Sequence, residues 1–86
     1  MRVQKLSLTV NPVAFSYKNF ANRIFQCFNL TAADIIYLQF GAAPGVTADA
    51  WPVGPGQQYT LDPAAPVDTV WVWASTANID NRFIMG

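Results

Sequence analysis

Five aspartates, one cysteine and three tryptophans are the residues from which this chain could build chemistry. Asp34, Asp49, Asp62, Asp68 and Asp80 are its only acids, with no Glu and no His, which removes the commonest general base and most metal-site designs. Asp49, Asp62 and Asp68 lie in one loop-rich stretch, but their spacing matches neither a calcium loop nor a glycosidase carboxylate pair. Asp62-Pro63 and Asp68-Thr69 read instead as turn and strand-start residues. Cys27 has no His to activate it and alternates within an apolar segment, so it reads as a small buried hydrophobe. A single cysteine excludes an intrachain disulfide framework and fits a reducing compartment. Gly54-Pro55-Gly56 lacks the Lys, the Ser or Thr and the helix of a phosphate loop, and reads as a tight turn before Gln57. Asn29-Leu30-Thr31 fits the glycosylation pattern, although nothing else in the sequence points to secretion. No catalytic residue, metal ligand, cofactor or small-molecule substrate is expected.

The tryptophans carry more information. Trp71 and Trp73 share one face of an extended segment whose other face, Val70, Val72 and Ala74, already supplies a core stripe. Both faces cannot enter one thin core. Either the central loop or Trp51 covers the Trp face, or that face belongs to a protein interface, where aromatics concentrate. Trp51, Trp71 and Trp73 are therefore the candidate interface residues. A sugar-stacking platform built from the same three is the alternative, with only Thr69, Ser75 and Thr76 nearby in sequence to bind hydroxyl groups.

The elements that must position these side chains follow from composition and period. Eighty-six residues make one domain, 1–86, with 52% apolar and 12% charged residues, about half the usual ~25% charged share. That balance excludes disorder. A formal net charge of zero lacks the basic footprint of a nucleic-acid binder, and no run approaches the ~18 apolar residues of a membrane helix. Val, Ile, Thr and aromatic residues dominate, whereas Glu is absent and Lys5 and Lys18 are the only lysines. Helix has little to build on.

Alternation predicts a strand over 5–10, with Leu6, Leu8 and Val10 on one face, broken by Asn11-Pro12. Phe15 and Tyr17 mark a short return. Strands are expected over 22–30, with Phe25 and Cys27 opposite Ile24 and Phe28, and over 35–40, with Ile36, Leu38 and Phe40 inward and Gly41 closing it. The turn 30–34 makes these two read as an antiparallel hairpin. All Gly and Pro except Pro12 and Gly86 fall between Gly41 and Pro66, leaving short extended pieces at 50–53 and 57–61. Strands resume at 68–74 and 79–85. About seven to eight strands without intervening helix predict an all-β domain, a small antiparallel β-sandwich or jelly-roll-like barrel. A core this small supplies only ~3 to 5 kcal/mol alone, so oligomerisation or docking onto a larger body is the expected stabiliser.

The segment Phe28-Asn29-Leu30-Thr31-Ala32-Ala33-Asp34-Ile35-Ile36-Tyr37-Leu38-Gln39-Phe40-Gly41 resembles a hairpin of small β-sandwich virion proteins of tailed bacteriophages. There an Asn-centred turn leads into an aliphatic and aromatic strand ending in Phe-Gly. The likeness continues through Val53-Gly54-Pro55-Gly56-Gln57-Gln58-Tyr59 and from Val67 to Ser75, then along the last strand, about two-thirds of the chain. Trp71 and Trp73 are larger than the residues that family places in this strand. The resemblance implies a structural role in the virion, assembled in the bacterial host cytoplasm. A capsid decoration (cement) protein is the leading expectation, and a tail or fibre adaptor the alternative. The partners implied are further copies of the chain, phage coat proteins or tail proteins.

Overall fold

The computed structural model describes residues 2–41 and 50–86, and its eight strands form two antiparallel sheets. In chain order they are β1 (Arg2–Gln4), β2 (Val13–Phe15), β3 (Phe25–Asn29), β4 (Ile36–Phe40), β5 (Trp51–Val53), β6 (Gln58–Thr60), β7 (Val70–Ala74) and β8 (Asn81–Met85). One short 3-10 turn spans Tyr17–Asn19. The sheets run β1-β8-β3-β6 and β2-β7-β4-β5. Pairing is nested: β4 with β5, β3 with β6, β2 with β7 and β1 with β8, all antiparallel. This strand order is that of a jelly roll, in which a long hairpin is rolled into two facing sheets.

Strand period sets the core. Phe25 and Cys27 of β3 and Phe83 and Met85 of β8 face Ile36 and Leu38 of β4 and Val70 and Val72 of β7, and all are buried. Phe25 and Phe83 pack edge to face, with centroids 5.9 Å apart. Phe40, as expected, continues the inner face of β4, half-buried beside the core. The Gly54-Pro55-Gly56-Gln57 turn is also as expected: Gln57 N–H donates to the Gly54 carbonyl at 3.0 Å, and Gly56 takes φ +73°, a conformation that costs glycine little.

Two expectations need correction. Segments 22–30 and 35–40 are strands but not a hairpin, because β3 bonds to β6 and β8 whereas β4 bonds to β5 and β7. The intervening turn carries the chain from one sheet to the other. Residues 5–10 do not form a ladder either. Only Leu8 bridges, to Asn78, while Leu6 bonds through its backbone to the side chain of Asn81. The inward spacing of Leu6 and Leu8 survives, but side-chain amide groups replace the neighbouring strand. Val10 is exposed and does not join them.

Candidate functional site

Trp71 and Trp73 stand on the outer face of the β2-β7-β4-β5 sheet, opposite Gln39 and Tyr37 of β4. Tyr37 and Trp73 stack with centroids 5.7 Å apart and planes 24° apart, and Pro52 of β5 is the next residue across from Tyr37. Aromatic and proline side chains thus make a continuous row across three strands. Trp73 is nevertheless only 5% exposed. The Thr9 carbonyl accepts the Ala74 N–H at 2.9 Å and brings the 9–10 stretch to the end of β7. There Val10, Tyr37, Trp73, Ala74 and Ser75 line a cleft of about 280 Å³. Trp71, one step nearer the other end, is half-buried and donates its indole N–H to the Gly41 carbonyl at 3.1 Å.

Trp51 does not join this face. It lies opposite Leu38, so its side chain leaves the sheet on the inner side, at the lateral opening between β5 and β6. Its ring contacts Tyr59 at 5.6 Å, Tyr59 stacks on Phe40 at 5.7 Å, and Trp51 remains 56% exposed. Burial raises the Tyr59 phenol above its ordinary pKa. The three tryptophans therefore form two separate surfaces. Sequence reasoning missed Tyr37, Phe40 and Tyr59 as their partners. For Tyr37 the signal was present, since it has the opposite phase to Ile36 and Leu38.

A second missed feature is a buried polar network at one end of the sandwich. Asn29, Asn78 and Asn81 are each 1% exposed or less. Asn29 Nδ2 donates to the carbonyls of Asp34 (2.8 Å) and Val53 (2.9 Å), while its Oδ1 accepts from Thr31 N–H and Thr31 hydroxyl. Asn81 Nδ2 donates to Leu6 O (2.9 Å) and to Asn78 Oδ1 (3.1 Å), and its Oδ1 accepts Leu6 N–H (2.9 Å). Asn78 Nδ2 reaches Asn29 Oδ1 at 3.5 Å and closes the chain of amides. With both lone pairs and donors engaged, Asn29 is a structural residue inside the fold, not a sugar acceptor on its surface.

The other polar candidates are dispersed. Asp34 accepts the Thr76 hydroxyl at 2.6 Å, and Asp62 caps its own turn by accepting Ala64 N–H at 2.9 Å. Asp68 is exposed and offers its carbonyl to Lys18 N–H, Asp80 is exposed, and Asp49 lies outside the described residues. Among the described residues, no three potential metal ligands cluster. Cys27 is wholly buried, and desolvation pushes its thiol up to about 12, which keeps it protonated and unreactive at neutral pH.

Comparison with protein-family models, with curated proteins and with solved structures returns no match. Fold and site together define a small antiparallel β-sandwich carrying an aromatic outer face.

Proposed function

We propose that the protein is a structural virion component of a tailed bacteriophage, a capsid decoration (cement) protein that stabilises the shell through protein–protein contacts. The carrying observation is the outer face of the β2-β7-β4-β5 sheet, where Trp71 and Tyr37, both half-buried, and exposed Pro52 surround the buried Trp73 ring, an aromatic surface of the kind that anchors interfaces. The jelly-roll strand order recurs in viral capsid proteins as well as in lectins, an analogy at the level of fold. Repetition over a symmetric shell turns modest single contacts into avidity. The separation of Trp51 from Trp71 and Trp73, and the burial of the Trp73 ring, weigh against one sugar platform made from all three.

Binding of the purified protein to phage coat shells, measured by co-sedimentation, tests the proposal. Trp71→Ser is expected to weaken attachment roughly 30-fold, the equivalent of ~2 kcal/mol for an interface anchor, while melting stays close to wild type. Wild-type protein that ignores coat shells, or a Trp71→Ser variant that attaches as well as wild type, overturns it. Glycan binding abolished by Trp71→Ala would favour the carbohydrate alternative.

A further inference from the structure

We infer that two copies of this chain join through β1, antiparallel about a two-fold axis at Val3, into one continuous eight-stranded sheet. The inference rests on the reading that the protein works through protein contacts, and adds the surface and the partner.

Among the described residues the sandwich has four edge strands, β1, β6, β2 and β5, and hydrogen-bond phase distinguishes them. Ile24 and Gly86 donate N–H groups to each other's carbonyls, at 3.3 and 3.1 Å, which phases the β3–β8 ladder. Alternation then turns the backbone groups of Arg82 and Ile84 toward β3, and those of Phe83 and Met85 toward β1. Because Arg2 lies opposite Met85 and Gln4 opposite Phe83, these two residues bond to β8, and the N–H and C=O of Val3 point outward.

Hydrogen-bond phase sets the other edges apart from β1. Ser75 N–H donates to Ile35 O and Gly41 N–H to Thr69 O, so the even-numbered residues of β4 face β5. Pro52, opposite Tyr37, is then the outward residue of β5, where it has no N–H to offer. On β2 that phase turns Val13 and Phe15 inward, leaving Ala14 outward with Pro12 two residues before it. β6 turns Gln58 and Thr60 outward, both exposed and polar, and Asp62-Pro63 follow. Among these four edges β1 alone turns a large apolar residue with an N–H outward, Ala14 of β2 offering only a methyl group and Pro52 of β5 no N–H. Val3 is 66% exposed, more than any other large hydrophobic side chain among the described residues.

A second copy of β1 satisfies this edge. With Val3 opposite the partner's Val3, both N–H groups and both carbonyls pair. Arg2 meets the partner's Gln4, so no like charges stand directly opposed. The two valines meet on the outer face beside Ile84, the half-buried cross-strand neighbour of each. A polar or acidic strand from another protein would fill the ladder but leave Val3 without an apolar mate.

Cross-linking and light scattering test the pairing. A hydrogen-bonded antiparallel pair holds its Cα atoms about 5.5 Å apart, within disulfide range. Oxidised Val3→Cys is expected to become a covalent dimer, with buried Cys27 taking no part. Lys5→Cys, two positions from the axis, is expected to stay unlinked. Wild-type protein should scatter as a dimer, and Val3→Pro, which removes the outward donor at an exposed site, as a folded monomer. A monomeric wild type, a Val3→Pro dimer, equal cross-linking of Lys5→Cys, or an open series of larger assemblies as expected for β1 on β6 would each overturn the inference. A monomer that still binds coat shells defeats the dimer alone. A dimer that binds no virion protein defeats the functional proposal alone.

Discussion

At the end of the sandwich where β3 leads to β4 and β7 to β8, three neutral amide side chains tie the crossing segments together, each 1% exposed or less. At the opposite end, a single arginine reaches across the 63–67 loop. Arg23 donates to the carbonyls of Pro63 (3.0 Å), Ala65 (2.9 Å) and Val67 (3.4 Å), and its guanidinium lies 4.6 Å from the Tyr17 ring centroid. Tyr17, fully buried, returns a hydroxyl hydrogen bond to the Arg23 carbonyl at 2.6 Å. The contrast follows from desolvation. An amide can be buried cheaply if every donor and acceptor is engaged, whereas a guanidinium keeps part of its hydration and works from a half-buried position. Loss of an amide leaves orphans in a dry interior; loss of the arginine leaves carbonyls that water can reach.

That difference sets the sizes of the expected effects. Asn81→Ala removes the side-chain partner of both Leu6 N–H and Leu6 O and one of the two donors to Asn78 Oδ1, which keeps the Asp80 N–H, and should cost about 3 kcal/mol in denaturant unfolding. A loss below about 1 kcal/mol would mean that water replaces the amide and the two ends are alike.

Cys27, in the apolar layer between the ends, reports how dry that layer is. Its thiol is raised from 9.0 to about 12 by burial, so above pH 9 the unfolded chain releases a proton that the folded chain retains. Stability from this group is complete below pH 9 and falls by about 1.4 kcal/mol per pH unit from there toward pH 12. Cys27→Ala, compared with wild type across that range, should lack this slope. Identical slopes would show the thiol to be solvated.

The smallest effect belongs to the arginine end. Arg23→Ala should cost about 1 to 2 kcal/mol, and less in high salt. Arg23 has φ +50°, a left-handed conformation that a β-carbon disfavours, so Arg23→Gly should be about 1 kcal/mol more stable than Arg23→Ala. If the glycine variant is the weaker of the two, the backbone there is not under strain.

The sequence revealed what depends on local period and concealed what depends on distant partners. Ile36 and Leu38 inward, Val70 and Val72 inward and the turn at Gly54-Pro55-Gly56 are all properties of neighbouring residues, and all stand in the structure. The hairpin expected around 30–34 failed because a short turn between two strands is equally compatible with pairing or with a change of sheet. Asn29 decides for the second by tying the turn to Val53. No local pattern announces that Leu6 will bond to Asn81 across most of the chain. The tryptophans divide in the same way: the shared face of Trp71 and Trp73 was legible from alternation, but the place of Trp51 depended on its register with Leu38.

Nested pairing has a kinetic consequence. Once β4 and β5 meet, each further pair closes only the small additional loop left by the pair inside it, so loop-closure entropy favours zipping outward and leaves β1 on β8 until last. Truncating Leu38 or Val53 is therefore expected to slow refolding, whereas Met85→Ala, at the last pair to form, should mainly accelerate unfolding. Stopped-flow rates in denaturant would reveal the reverse order if β1 and β8 dock early. In the expected order the sandwich spends its final folding step with β8 still unpaired along one side, and the rate of β1 docking governs how long that template stays open to other chains.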